Sequence, residues 1–367
     1  MKWKETVKGL KAYEPGKPID AVKREFGLDE ITKLASNENP LGCSPKVNAF
    51  LKNTDFNFAL YPDGYAQDMR TAVANHAGVA EKDLLFGNGS DELISIICRA
   101  LLSPETNTVM ATPTFSQYKL NAVIEGAEVR EVPLNANREH DLDAMLAAID
   151  DQTSVVWVCS PNNPTGGITP TAAIQNFLAK VPEDVLVVLD EAYVEYVMDP
   201  DYADTLPLYK QYSNVLLMRT FSKAYGLAAF RVGYAIGQEA LVRKLDPVRG
   251  PFNNTVLSQA IIPIALSDTG YIEKCRAINA AGKQQYIAFC EKHGLDYYPS
   301  ETNFILFEIK ADSNEVFQEL MSRGYIVRSG AALGVPNYLR ITIGTEQQNA
   351  GLLAQLEDIL TKKGVLA

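Results

Sequence analysis

Six times between residues 108 and 236 the chain repeats one pattern, a short apolar, mostly β-branched run that ends in a polar exit. The runs lie at 108–111, 129–132, 154–159, 185–189, 215–219 and 232–236, and amphipathic stretches such as 141–149 and 171–178 separate most of them. Strands alternating with helices predict a mostly parallel sheet between helical layers. Val155-Val156-Trp157-Val158 and Val185-Leu186-Val187-Val188-Leu189 carry no polar alternation, so both faces of these strands must be covered. A further run at 84–86 opens a polar turn and a helix at 93–102. The expected fold class is α/β, with a mostly parallel seven-stranded sheet in a large domain over residues 41–250.

After residue 251 the pattern changes to long helical stretches at 255–265 and 270–292. Apolar runs at 304–309, 325–328 and 338–343, a helix at 314–323 and a terminal helix from 346 complete a small α+β domain. The segment 1–40, broken by Pro15, Pro18 and Pro40, has too little apolar material to fold alone and is grouped with 251–367. A chain of 367 residues is long for one core, which agrees with two units.

The 45 acidic and 34 basic residues give a net charge of −11. That balance argues against a nucleic-acid or anionic-membrane partner and for small-molecule ligands. The N-terminus has no apolar signal-like run, and no stretch is long enough for a bilayer, so a cytoplasmic protein is expected. Five scattered cysteines without C-x-x-C and three separated histidines without H-E-x-x-H lead to no expected metal site.

In a parallel sheet, ligands bind beyond the carboxyl ends of the strands. Four exits stand out: Gly87-Asn88-Gly89-Ser90-Asp91, Ser160-Pro161-Asn162-Asn163-Pro164-Thr165-Gly166, Asp190-Glu191-Ala192-Tyr193 and Thr220-Phe221-Ser222-Lys223. Each alone is as readily a turn, a cap or a solvated lysine. Their joint occurrence in this order is what points to a site.

The block Ser222-Lys223-Ala224-Tyr225-Gly226-Leu227-Ala228-Ala229-Phe230-Arg231, with Asn163 and Asp190-x-x-Tyr193 upstream, resembles the pyridoxal-phosphate aminotransferases of fold type I over essentially the whole chain. The segments 33–42, with Asn37, Tyr61-Pro62-Asp63-Gly64 and 337–345, with Arg340, are similar to the branch of that family that acts on histidinol phosphate. The resemblance implies pyridoxal 5′-phosphate as cofactor and amino-group exchange between histidinol phosphate and 2-oxoglutarate. It also implies a homodimer with shared active sites, in which Tyr61 reaches the neighbour's cofactor phosphate. Arg340 then binds the carboxylate of glutamate or 2-oxoglutarate and the phosphate of histidinol phosphate, with Arg328, Tyr13 and Asn37 beside it. Thr220 joins the cofactor contacts. Phe115 stands where family members often carry tyrosine, and 329–333 lacks the expected proline.

Chemistry assigns roles to the same residues. Lys223 is the amine that condenses with an aldehyde and afterwards the general base and acid. Asp190 favours a protonated ring nitrogen. Tyr193 and Asn163 reach the phenolate oxygen, and Phe115 stacks on the ring. Gly89, Ser90 and Asp91 at a helix N-terminus, with Ser222 and Arg231, anchor the phosphate. Three rivals remain: an aromatic amino-acid aminotransferase, an amino-acid-phosphate decarboxylase, and a serine acyl enzyme prompted by Ser116-Gln117-Tyr118-Lys119, an S-x-x-K match without partner motifs.

Overall fold

The structure, a computed structural model, describes residues 1–10 and 17–366. Seven strands form the large sheet: β1 (Leu84–Asn88), β2 (Asn107–Thr112), β3 (Glu128–Pro133), β4 (Thr153–Cys159), β5 (Leu186–Asp190), β6 (Val215–Thr220) and β7 (Val232–Ile236). Their spatial order is β1-β7-β6-β5-β4-β2-β3. Only β7 runs antiparallel to its neighbours, so the exits of the other strands face one edge together.

The uninterrupted apolar runs follow from cover on both faces. Leu85, Met110, Val155, Trp157, Val188, Leu216 and Met218 share a core with Leu93, Ile94, Tyr118 and Val242 of the helices Ser90–Leu101, Ser116–Glu125 and Glu239–Leu245. Their sequence neighbours Leu84, Val109, Val156, Val187, Leu189, Val215 and Leu217 turn to the other side, against Val47, Met69, Ile174 and Ile261. Each such side chain contributes roughly 1.5–3 kcal/mol by leaving water.

The small sheet has the order β9-β10-β8, all antiparallel, with β8 (Phe304–Glu308), β9 (Arg328–Ser329) and β10 (Tyr338–Thr342). Leu339 and Ile341 enter a core with Tyr286, Val316, Leu352 and Leu356. By the period of two, Arg340 and Thr342 turn the opposite way, toward the large sheet's exits. The helix Glu346–Lys362 covering this core starts with a reciprocal cap between Thr345 and Gln348.

Two details differ from the sequence reading. The run 325–328 is two short strands: Tyr325–Ile326 pairs in parallel with Thr32–Lys33, while Arg328–Ser329 pairs with β10. The helix Val256–Leu266 lies beyond the boundary expected after residue 250, yet its Ile261 and Ile262 belong to the large sheet's core. We propose that the small unit begins after this helix. Residues 1–40 are shared: Val22 and Ala35 pack with Met321 and Ile326, whereas Lys4 pairs with Glu125 at 3.0 Å on the large unit.

Candidate active site

The exits of β1, β4, β5 and β6 and the outward face of β10 enclose a cavity of about 300 Å³. Asn37, Ser90, Asp91, Phe115, Asn163, Asp190, Tyr193, Thr220, Ser222, Lys223, Arg231, Arg328 and Arg340 all line it. Lys223 Nζ lies 3.4 Å from the Ser36 carbonyl oxygen and 5.7 Å from the centre of the Tyr193 ring. Burial, reinforced by the Arg340 charge, pushes its pKa down to about 8. About a tenth of such an amine is neutral at pH 7, against roughly one in 2,500 for an ordinary lysine. A nucleophilic amine is thus available.

Burial raises Asp190 to about 6, opposed by the Tyr118 hydroxyl. Tyr118 donates to Oδ2, and the Ala192 N–H donates to Oδ1 at 3.2 Å. Both partners are neutral, so this desolvated carboxylate is suited to a cationic group. Tyr193, also buried and held protonated by that burial, accepts from Asn37 Nδ2 at 3.0 Å. Asn163 Oδ1 accepts from Arg340 Nη1 at 2.7 Å, which turns its amide N–H groups to the cavity.

At the β1 exit the chain enters the helix Ser90–Leu101 through Gly89, which brings no side-chain cap. The first amides of that helix therefore face outward. Gly89 has φ +79, and a Cβ there would overlap the Arg231 guanidinium. Arg231 itself reaches Asp91 Oδ2 at 3.3 Å and the Ala228 carbonyl at 3.1 Å. Glycine, guanidinium and free amides make a cradle for a phosphate. Ser222 closes it, while Thr220 holds the turn: its hydroxyl donates to the Val232 carbonyl at 3.3 Å and accepts from the Ser222 N–H at 3.1 Å.

At the opposite end Arg328 and Arg340 are cross-strand partners. Arg340 is 7% exposed, donates from Nη2 to the Ala35 carbonyl at 2.8 Å and lies 5.1 Å from the Phe304 ring centre. Two guanidinium groups set side by side offer paired donors to a bound anion.

Among the described residues, two expected ones do not line the cavity: Gly89, which lies against Arg231 at its edge, and Tyr61. Tyr61 is 83% exposed and stacks on Phe252 with ring centres 4.8 Å apart, and Tyr13 lies outside the described residues. The S-x-x-K match is an ordinary helix turn, with Lys119 paired to Glu131 on the surface. Reading the sequence missed Tyr118, which is 72 positions from Asp190. It also missed Gly233, where a Cβ would meet the Ser90 nitrogen at 2.5 Å; only a glycine in an otherwise apolar strand signals that approach.

The model of the aminotransferase class I and II family matches residues 29–356. The chain belongs to this family. It is 66% identical over 367 residues to a histidinol-phosphate aminotransferase of Lysinibacillus sphaericus (strain C3-41), covering 100% of both chains. To that of Bacillus subtilis (strain 168) it is 58% identical over 360 residues, 98% of this chain and 100% of the relative. Among solved structures, the histidinol-phosphate aminotransferase of Sinorhizobium meliloti in complex with pyridoxal-5′-phosphate superposes with TM-score 0.88 at 25% identity, over 98% of each chain. The lysine with its lowered pKa, the desolvated carboxylate and the phosphate cradle fit the cofactor that this aminotransferase relative carries.

Proposed function

We propose that the chain exchanges an amino group between L-histidinol phosphate and 2-oxoglutarate, giving imidazole acetol phosphate and L-glutamate, with pyridoxal 5′-phosphate held on Lys223. The observation that carries this reading is the Arg328–Arg340 cross-strand pair at the far end of the cavity that contains Lys223 and Asp190. Two guanidinium groups suit a substrate phosphate and equally the carboxylates of the second substrate. Near-complete matches to relatives named for histidinol phosphate support the same substrate class.

When bound, the cofactor supplies an electron sink for the pair left at the substrate's α-carbon. Everything else falls to this chain. Asp190 keeps a proton on the ring nitrogen, and the raised pKa of its own carboxyl falls once that cation is opposite. Tyr193 and Asn163 donate to the phenolate oxygen, and Phe115 covers the ring. Ser90, Asp91, Ser222 and Arg231 hold the phosphate. Lys223 Nζ takes the proton from the α-carbon and returns it, a role that its lowered pKa suits.

The exposed aromatic residues Phe58, Tyr61, Tyr65 and Phe252 support a homodimer in which Tyr61 serves the neighbour's phosphate site. A substrate panel with 2-oxoglutarate as acceptor tests the reaction. Histidinol phosphate is expected to turn over with kcat/KM at least about tenfold above phenylalanine, and hydride trapping to label Lys223. Preference for phenylalanine would move the chain to the aromatic reading. Carbon dioxide release without an acceptor would make it a decarboxylase.

A further inference from the structure

Behind the cavity, where the turn Val194–Tyr196 meets the helix Thr269–His293 and residue 303, two buried side-chain amides are half satisfied. Asn303, 1% exposed, donates from Nδ2 to the Asn37 carbonyl at 2.9 Å. Asn279, 6% exposed, donates from Nδ2 to the Thr302 carbonyl at 2.9 Å. Their Oδ1 atoms have no hydrogen-bond partner. Rotating either amide would set oxygen against a carbonyl, so these orientations are fixed by the acceptors. Both residues line one cavity of about 10 Å³, together with Tyr196, Cys275 and Gly344.

We propose that a single buried water molecule occupies this cavity, bridging Asn279, Asn303 and Tyr196, and that Asn303, fixed by it, is a positioning residue for Tyr193. The volume is that of one water-sized sphere, and a buried water typically makes two to four hydrogen bonds. The proton count closes: two orphaned oxygens need two donated hydrogens, which one water carries. Its oxygen is left to accept, and the Tyr196 hydroxyl, whose oxygen lies beside the Asn303 amide and which burial keeps protonated, has its own hydrogen free and is the donor at hand. Cys275, whose sulfur accepts from Asn39 at 3.1 Å, is less suited because a thiol S–H is a weak donor.

The consequence reaches the reacting centre. Asn303 holds the Asn37 carbonyl, and Asn37 Nδ2 holds the Tyr193 hydroxyl. Tyr196 follows three residues later, its N–H donating to the Tyr193 carbonyl at 2.9 Å. The water thus ties both ends of the Tyr193–Tyr196 turn to one asparagine. Without it, Asn303 would keep an unmet acceptor and the ring of contacts would open.

A crystal structure of the protein as purified, at a resolution that shows ordered water, should place a peak within hydrogen-bond distance of both amide oxygens. An empty cavity, or a peak touching neither, overturns the water. The positioning role rests on the function proposed above and is read from the visible absorption of the bound cofactor. In Asn303→Leu the pH midpoint of that band should rise by at least about half a unit, because a loosened Tyr193 hydroxyl offsets less phenolate charge. The same variant should lose about tenfold in kcat with KM within about twofold. Tyr196→Phe keeps the ring and the fold, and should weaken the water peak and shift the midpoint in the same direction. An unchanged midpoint in whichever variants fold overturns the role. A protein that shows no cofactor band at all sinks the proposed function and leaves the crystallographic result standing.

Discussion

Lys223 and Asp190 share a cavity whose low polarity pushes both toward neutrality, the amine down to about 8 and the carboxyl up to about 6. For Asp190 the sign of the pH effect follows directly. Its folded pKa lies above its ordinary value, so between about pH 4 and 6 the cofactor-free folded chain holds more protons than the unfolded one. Stability therefore falls as pH rises through that window. Asp190→Asn removes the charge while keeping an oxygen for Tyr118. By thermal unfolding, the cofactor-free variant should gain up to about 3 kcal/mol over wild type at pH 7 and only about 0.5 kcal/mol at pH 4. The loaded variant should lose at least about a hundredfold in transamination rate. A cofactor-free variant less stable than wild type at pH 7 would show that the carboxylate has a cationic partner already. Lys223, Asp190, Tyr193 and Asn163 were legible in the sequence because strand exits expose whatever follows an apolar run. Tyr118 was not, since nothing local marks which of many tyrosines donates to a carboxylate 72 positions away.

At the scale of elements, the sheet was readable because each strand's continuous apolar run has cover on both faces. The 325–328 run was misread because Tyr325–Ile326 and Arg328–Ser329 serve two different sheets on either side of the buried Val327, a change of partner that periodicity does not encode. The junction of β1 with the helix Ser90–Leu101 yields a sharper prediction. A side chain at Gly89 meets only the flexible end of Arg231, so Gly89→Ala should cost only about 1–2 kcal/mol of stability, mostly from its positive φ. Arg231 must nevertheless leave the phosphate cradle. Cofactor affinity, measured by equilibrium dialysis, should drop at least about tenfold while the chain stays folded. Equal losses of fold and affinity would place the damage in the helix start and not in the guanidinium.

At the scale of the whole molecule, two exposed aromatic residues, Tyr61 and Phe252, sit together, and Phe58 precedes Tyr61 by three positions. Phe58 and Tyr61 are 71% and 83% exposed, and Phe252, stacked on Tyr61, is 44% exposed. A patch of that kind on a folded surface is suited to a second copy of the chain, and Tyr61 lies outside its own cavity, where a residue serving a neighbour must lie. Mixing two damaged proteins tests this. Lys223→Ala has no amine in its own site but an intact Tyr61; Tyr61→Ala has the amine but no tyrosine to lend. If Tyr61 acts across the interface, each mixed dimer contains one fully equipped site, made of Lys223 from one protomer and Tyr61 from the other. Random re-pairing of equal amounts makes half the dimers mixed, so about a quarter of wild-type activity should return beyond the parents' average residual. If Tyr61 instead served its own protomer, both sites of a mixed dimer would remain damaged, and mixing would yield only that average.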